Sequence, residues 1–269
     1  MRELRERIAA VTGAASGIGR ALAVGLAAQG MHVAIADVDT AGLAATADAV
    51  RASGRRALAV PTDVRDAAAV ARFADAVVAE FGAVHVVCNN AGVSRMGLSW
   101  EVPLEDWNWV LDVAFWGVVH GIRAFVPHLL AHDEPGHVVN TSSVGGLAQV
   151  PYIAPYTAAK HAVVGLTRSL RAELAGTAVG VSLLCPGPVV SNMDPHTPRP
   201  GEVEHLADGP AALAEHARGS HGEGMPAEHV ARMTVTAIQE DQFYVLPNLA
   251  GFLPALESDF SALLSAPTR

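Results

Sequence analysis

Thr12-Gly13-Ala14-Ala15-Ser16-Gly17-Ile18-Gly19 follows the strand-like run Arg7–Val11 and opens into the helical stretch Arg20–Ala28. A strand, a glycine turn and a helix in that order predict a phosphate-binding turn. Glycines let the backbone turn sharply and approach a pyrophosphate, and the helix N-terminus presents free N–H groups at the positive end of its dipole. Glycine turns also simply join strands to helices, so the pattern takes its meaning from the context on both sides. Gly13, Ser16, Gly17, Ile18 and Gly19 are the candidate phosphate contacts. The next run, His32–Asp37, ends in an acidic residue twenty-four positions after Gly13. A carboxylate there can accept hydrogen bonds from an adenosine ribose and repels a 2′-phosphate, which points to NAD; a cap on the following segment is the structural alternative for Asp37.

Beyond this turn, runs rich in Val, Ala and Ile alternate with stretches of helical periodicity, the pattern of repeated βαβ units. Strands are expected near Arg7–Val11, His32–Asp37, Ala57–Thr62, Val84–Asn89, His137–Thr141, Ala178–Cys185 and Phe243–Pro247. The early runs are apolar at nearly every position, as for strands covered on both faces. The expected fold class is α/β, a Rossmann-type doubly wound parallel sheet of about seven strands flanked by helices. No linker divides residues 1–269, which read as a single dinucleotide-binding and catalytic domain. Between Val189 and Gly224, Pro, Gly, His and acidic residues accumulate. A substrate-covering segment with a short helix near Pro210–Arg218 is expected there, a disordered surface excursion being the alternative.

Of the 269 residues, 51% are hydrophobic and 17% charged, enough apolar matter for a sizeable core and too much for disorder. Eighteen Lys and Arg against 27 Asp and Glu leave a net charge of −9, which repels phosphate backbones and anionic headgroups and argues against nucleic acid or membrane partners. No window of about 18 uninterrupted apolar residues occurs, and Met1–Arg7 lacks the apolar run of a signal peptide, so a soluble cytoplasmic protein is expected. Cys88 and Cys185 lie outside any Cys-x-x-Cys arrangement and read as buried thiols. His128 and His132 are four apart but lack a third ligand in a zinc motif; a solvated helix face is expected, and no metal. Trp100, Trp107, Trp109 and Trp116 read as core or subunit packing rather than a stacking platform.

Tyr156 and Lys160, four apart among good helix formers, share one helix face. An ammonium near a phenol favours the phenolate, which predicts a lowered tyrosine pKa and an acid/base pair. Alone, this spacing is common by chance. It stands, however, in a series: the TGAASGIG turn, Asp63-Val64 after the third strand, Asn89-Asn90-Ala91-Gly92 after the fourth, Ser143 thirteen residues before Tyr156, the Tyr156/Lys160 pair, and Pro186-Gly187 after the sixth. On these motifs nearly the whole chain resembles a short-chain dehydrogenase/reductase of the single-domain type.

The resemblance implies that Ser143 orients the substrate oxygen, that Tyr156 transfers its proton, and that Lys160 tunes the tyrosine and binds the nicotinamide ribose. It implies cofactor contacts from Asp63, Val64, Asn90, Pro186, Gly187 and Val189, and hydride transfer between NAD(H) and a small-molecule secondary alcohol or ketone. A homotetramer is implied as well, with the apolar face of the helix from Ala158 to Leu174 as a further reason to expect one. Val144, Leu147, Val150, Tyr152, Val189 and Met193 in the expected pocket segments favour a substrate with apolar bulk. One position departs from the family pattern. Where it has asparagine within D-V-N-x-x-G, this chain reads Asp112-Val113-Ala114-Phe115-Trp116-Gly117. In the family that asparagine supports a helix kink whose carbonyl holds a water linking the lysine to solvent, and Ala114 cannot make its side-chain hydrogen bonds. The alternative reading is therefore a catalytically impaired or non-catalytic dinucleotide-binding sensor.

Overall fold

Parallel strands need a long crossover between them, and each strand–helix alternation in this chain supplies one. The computed structural model describes residues 1–132, 134–190, 193 and 224–266. Its strands are β1 (Ile8–Thr12), β2 (His32–Asp37), β3 (Ala57–Pro61), β4 (Val86–Asn89), β5 (Gly136–Thr141), β6 (Val179–Leu184) and β7 (Tyr244–Val245). They form one seven-stranded sheet in the order β3-β2-β1-β4-β5-β6-β7, every neighbouring pair parallel. The helices among the described residues are α1 (Gly17–Ala28), α2 (Thr40–Ala52), α3 (Ala67–Phe81), α4 (Leu104–Leu111), α5 (Gly117–Leu130), α6 (Ala154–Glu173), α7 (Ala227–Glu240) and α8 (Leu253–Ser265). Asp39 and Asp66 cap α2 and α3 by accepting from backbone N–H groups of the first turn.

Side chains alternate across each strand, and in β1 the two faces enter different cores. Ala9 and Val11 pack with Leu22 and Leu26 of α1 and Val230 and Ile238 of α7. Ile8 and Ala10 pack with Phe73 and Val77 of α3, Phe125 and Leu129 of α5 and Leu170 of α6. Both faces of the sheet are thus covered, which is why its strands read as continuous apolar runs. The expected Phe243–Pro247 strand shortens to β7, which is hydrogen-bonded on one side only, at Leu183↔Tyr244 and Leu184↔Val245. Pro247 cannot extend that ladder because it has no N–H.

The stretch Leu104–Leu130 has the length and hydropathy of a membrane-crossing helix. In this fold Val110, Ala114, Val118, Phe125 and Leu129 on it are buried. The apolar stripe of α6 is likewise used within the chain: Ala159, Val163, Val164 and Leu170 are buried.

His132 is not on a solvated helix face. It follows α5, its Nε2 donates to the Val84 carbonyl (2.9 Å), and its ring lies 5.1 Å from that of His85. His85, just before β4, accepts the Ile8 N–H at Nδ1 (3.2 Å) and sits beside Arg7 and Glu134. His137 in β5 is fully buried and donates from Nε2 to Ser182 Oγ (2.8 Å), whose hydroxyl donates to the Gln242 carbonyl (2.6 Å).

Burial, with the charges of Arg7 and His132 adding to it, pushes the His85 pKa down to about 4. Burial, then the N-terminal ammonium and Arg171, pushes His137 to about 3. Both imidazoles are neutral in the fold near neutral pH and take up protons on unfolding between their ordinary value of 6.5 and their lowered values of about 4 and about 3. Stability therefore falls as pH drops from 6.5 towards 4, and at pH 5 each histidine costs about 2 kcal/mol relative to pH 8. Urea unfolding at the two pH values should show this loss, and His137→Gln, which keeps a nitrogen near Ser182, should remove about half of it. Equal unfolding midpoints at pH 8 and pH 5 would contradict the assignment.

Candidate active site

In a doubly wound sheet a crevice opens where the strand order reverses, beyond the carboxyl ends of the strands. Here that point lies between β1 and β4. The turn after β1 is held shut from the β4 side. Asn90 and Ala91 donate their backbone N–H groups to Thr12 Oγ1 (3.0 and 3.2 Å), and the Asn90 amide donates to the carbonyls of Thr12 and Gly13 (3.2 and 3.4 Å). Gly13 has a left-handed φ of +67°, and a Cβ on Gly19 would lie 2.0 Å from the Gly13 oxygen, so neither position has room for a side chain. The Ser16 side chain does not cap α1, leaving the first-turn N–H groups to another acceptor.

This helix start opens on a cleft of about 320 Å³. Gly13, Ser16, Gly17, Ile18, Asp37, Asp63 and Val64 line one part of it, and Asn90, Tyr156, Lys160 and Pro186 the rest. The Asp37 carboxylate is oriented by three backbone N–H donors, those of Ala15 (3.0 Å), Val38 (2.7 Å) and Asp39 (3.1 Å). Asp63 is gripped by Arg65, whose Nε (3.0 and 2.9 Å) and Nη2 (2.6 Å) both donate to it, and this guanidinium holds the carboxyl below its usual pKa.

At the other end, β5 delivers Thr141, Ser142 and Ser143 against α6. Lys160 is 2% exposed, and its Nζ donates to the Thr141 carbonyl (2.8 Å) while Ser142 Oγ donates to the Lys160 carbonyl (2.8 Å). Ser143 Oγ accepts the Gly145 N–H (3.1 Å) and faces the Pro186 carbonyl (3.4 Å), near enough to the Tyr156 phenol to favour its ionised form. The Lys160 ammonium lies 5.5 Å from the Tyr156 ring centroid. The predicted pair is thus in place, but the expected lowering of the tyrosine pKa is not. Burial raises it, with the Ser143 hydrogen bond opposing, and burial pushes Lys160 down to about 8. Desolvation penalises both charged forms here more than proximity favours them.

Not every expected residue lines the cleft. Gly187 donates its N–H to the Pro247 carbonyl (3.1 Å), and Val189 bridges to Met225 and packs on the core, so both stand back from it. Gly19 and Ser143 act from behind the lining, through the turn and through Tyr156. Of the expected apolar pocket residues Met193 lines the cleft, whereas Val144 is buried in the turn after β5 and Tyr152, at φ +68°, pairs its carbonyl with the Gly97 N–H (2.8 Å). Apart from Val189, Val190, Met193 and Gly224, the expected substrate-covering segment and its helix near Pro210–Arg218 lie outside the described residues.

Conversely, Arg65, Val113 and Trp109 line the cleft without having been singled out as contacts. Arg65 was legible as a cation two residues after Asp63; nothing in the sequence separated Trp109 from its neighbouring tryptophans. Trp100 and Trp116 are exposed, so the four do not pack as one group. Ala114 lies in a π-turn, Asp112–Trp116, between α4 and α5. It is wholly buried in a cluster with Trp109, Val110 and Ala159 against which Tyr156 packs, so the π-turn is present with alanine at this position.

The short chain dehydrogenase family matches residues 7–200 of the chain. The 1-deoxy-11-beta-hydroxypentalenate dehydrogenase of Streptomyces avermitilis is 39% identical over 247 residues, covering 91% of this chain and 86% of that protein. The putative oxidoreductase SadH of Mycobacterium tuberculosis is 44% identical over 188 residues, 70% of this chain and 68% of that one. The crystal structure of a short chain dehydrogenase/reductase from Burkholderia phymatum in complex with NAD is 41% identical, with a TM-score of 0.91 over 100% of this chain and 99% of that one.

The Gly19 contact generates a test of the turn. A methyl group there must push the Gly13 carbonyl aside. Gly19→Ala should weaken NADH binding about tenfold or more, measured by fluorescence titration with the far-UV circular dichroism unchanged. Undiminished affinity in the folded variant would show that the turn does not hold the ligand.

Proposed function

The chain belongs to the short-chain dehydrogenase/reductase family of oxidoreductases, and from that premise we propose that it transfers a hydride between NAD(H) and a secondary alcohol or ketone carrying apolar bulk. The observation that carries this reading is the convergence of Ser143, Tyr156 and Lys160 at one end of a cleft whose other end is the glycine turn and Asp37. The residues fit a dinucleotide. The turn has no room for a Cβ at Gly19, the start of α1 lacks a side-chain cap, and Asp37 is fixed by three amides where a ribose would present its hydroxyls. The bound nicotinamide supplies the hydride donor or acceptor.

The chain's own residues handle the oxygen and the proton. Ser143 and Tyr156 hydrogen-bond the reacting oxygen from one side, their hydroxyls being near each other at the end of the cleft. With its pKa raised by burial, Tyr156 is protonated at neutral pH and ready to give its proton to the oxygen of a ketone being reduced. Alcohol oxidation requires the reverse, so Tyr156 must first reach the phenolate. Lys160, near pKa 8, holds its ammonium beside the phenol and is itself able to exchange a proton close to neutral pH. A non-catalytic sensor would need none of these three groups in register, and their arrangement favours turnover over that alternative. The substrate class is supported by the apolar Val93, Trp109, Val113 and Met193 in the cleft, and by a relative named as a dehydrogenase of a hydroxy compound. The NAD bound to the Burkholderia phymatum relative supports the cofactor.

Two outcomes follow. NADH should bind more tightly than NADPH at matched ionic strength, because Asp37 accepts from a 2′-hydroxyl and repels a 2′-phosphate; tighter NADPH binding would refute the cofactor assignment. Tyr156→Phe removes the transferable proton and keeps the ring, so turnover of a bulky secondary alcohol should fall by ~10²–10⁴-fold while NADH affinity survives. Wild-type turnover in that variant would remove Tyr156 from the chemistry.

A further inference from the structure

Behind the cleft lies a buried ion pair that the reaction does not use. Arg95, in the segment after β4, donates from Nε to Asp106 Oδ1 (3.1 Å) in the first turn of α4. Its guanidinium carbon lies 5.0 Å from the indole centroid of Trp109, one helical turn further on. Arg95, Asp106 and Trp109 are 7%, 8% and 9% exposed. Trp109 packs with Ala114 and Ala159 and against Tyr156, and it lines the cleft, whereas the ion pair stands behind it. We propose that Arg95 and Asp106 determine which substrates this site accepts, by fixing the Trp109 indole as a rigid wall beside Tyr156.

The inference rests on the alcohol/ketone reading above and adds a specificity-determining pair to it. A buried ion pair adds little net stability over apolar residues of the same shape, so its effect is on geometry. Asp106 and Trp109 are three apart on one helix and point to the same face. A planar guanidinium tied to Asp106 can meet the indole only over its face, where the cation–π attraction is strongest, and this selects one orientation of the ring. Asp106 also sets an opposite charge against the guanidinium, while the indole itself is the surface that lines the cleft. Such a wall accommodates neutral apolar bulk and does not by itself call for an anionic substrate.

Two variants test this. Arg95→Lys keeps the charge and loses the planar donor. Arg95→Met with Asp106→Leu removes both charges of the pair together. With NAD, each is assayed on a bicyclic secondary alcohol and on 2-propanol, and acrylamide quenching of Trp109 is read as the difference from the same protein carrying Trp109→Phe. The ratio of kcat/KM for the bicyclic alcohol to that for 2-propanol should fall about tenfold, chiefly through KM, and Trp109 should become more accessible to quencher. An unchanged ratio, or equal losses on both alcohols, would overturn the proposal, as would unchanged quenching in both variants. If the wild-type protein oxidises neither alcohol, the functional reading fails, and the quenching measurement still decides whether the pair holds the indole.

Discussion

The Asn90 amide reaches across from β4 to the carbonyls of Thr12 and Gly13, at the place where the sheet's connections part, and the geometry of the cleft depends on that bridge. Its carbonyl faces Thr141 Oγ1 (3.4 Å), and the Thr141 backbone carbonyl in turn receives the Lys160 ammonium (2.8 Å). One set of bonds therefore joins the glycine turn, the ends of β4 and β5, and the acid/base helix. Each bond adds only about 1 kcal/mol net, but leaving one of these buried carbonyls unpaired costs about 1–3 kcal/mol. The set is thus more a constraint on position than a source of stability. Phosphate contacts and proton chemistry sit on separate elements, and these bonds keep them in register.

The two ends of the cleft differ in charge. Asp37 and Asp63 at one end are accessible, and Arg65 holds Asp63 in its ionised form. At the other end, burial shifts Tyr156 and Cys185 upward, Cys185 to about 12, and Lys160 downward to about 8, each towards its neutral form. Desolvation of this kind strengthens the hydrogen bonds made at that end and makes each proton transfer there sensitive to what covers the site. Cys185 is thereby a neutral packing residue, as a thiol at a strand end in the core with Val163 and Leu183 should be.

At Ala114 the turn is packed on apolar neighbours. The helical run from Leu104 is interrupted by one π-turn and resumes at Gly117. Small residues on both sides of the contact, Ala114 and Ala159, let the helices approach closely beside Tyr156. The same approach brings Trp109 to the cleft, so the departure from the family's asparagine and the tryptophan wall belong to one packing arrangement.

Much of this was legible in the chain itself. The β1 run, the glycine turn, the α1 stretch, Asp37 and the Tyr156/Lys160 spacing are short-range patterns, and a pattern within one turn or one strand depends on covalent geometry and hydrogen-bond periodicity alone. The apolar runs place all seven strands within two residues of their ends. Other features depend on residues far apart in the chain. β7 stops before Pro247, which has no N–H to extend the ladder to β6, His132 is held by the Val84 carbonyl beside His85, and Trp109 lines the cleft where Val144 and Tyr152 were expected. The sign of the Tyr156 shift belongs with these. Spacing shows that a lysine is near, but only the packed structure shows that Lys160 is buried and Tyr156 partly so, and there desolvation outweighs proximity.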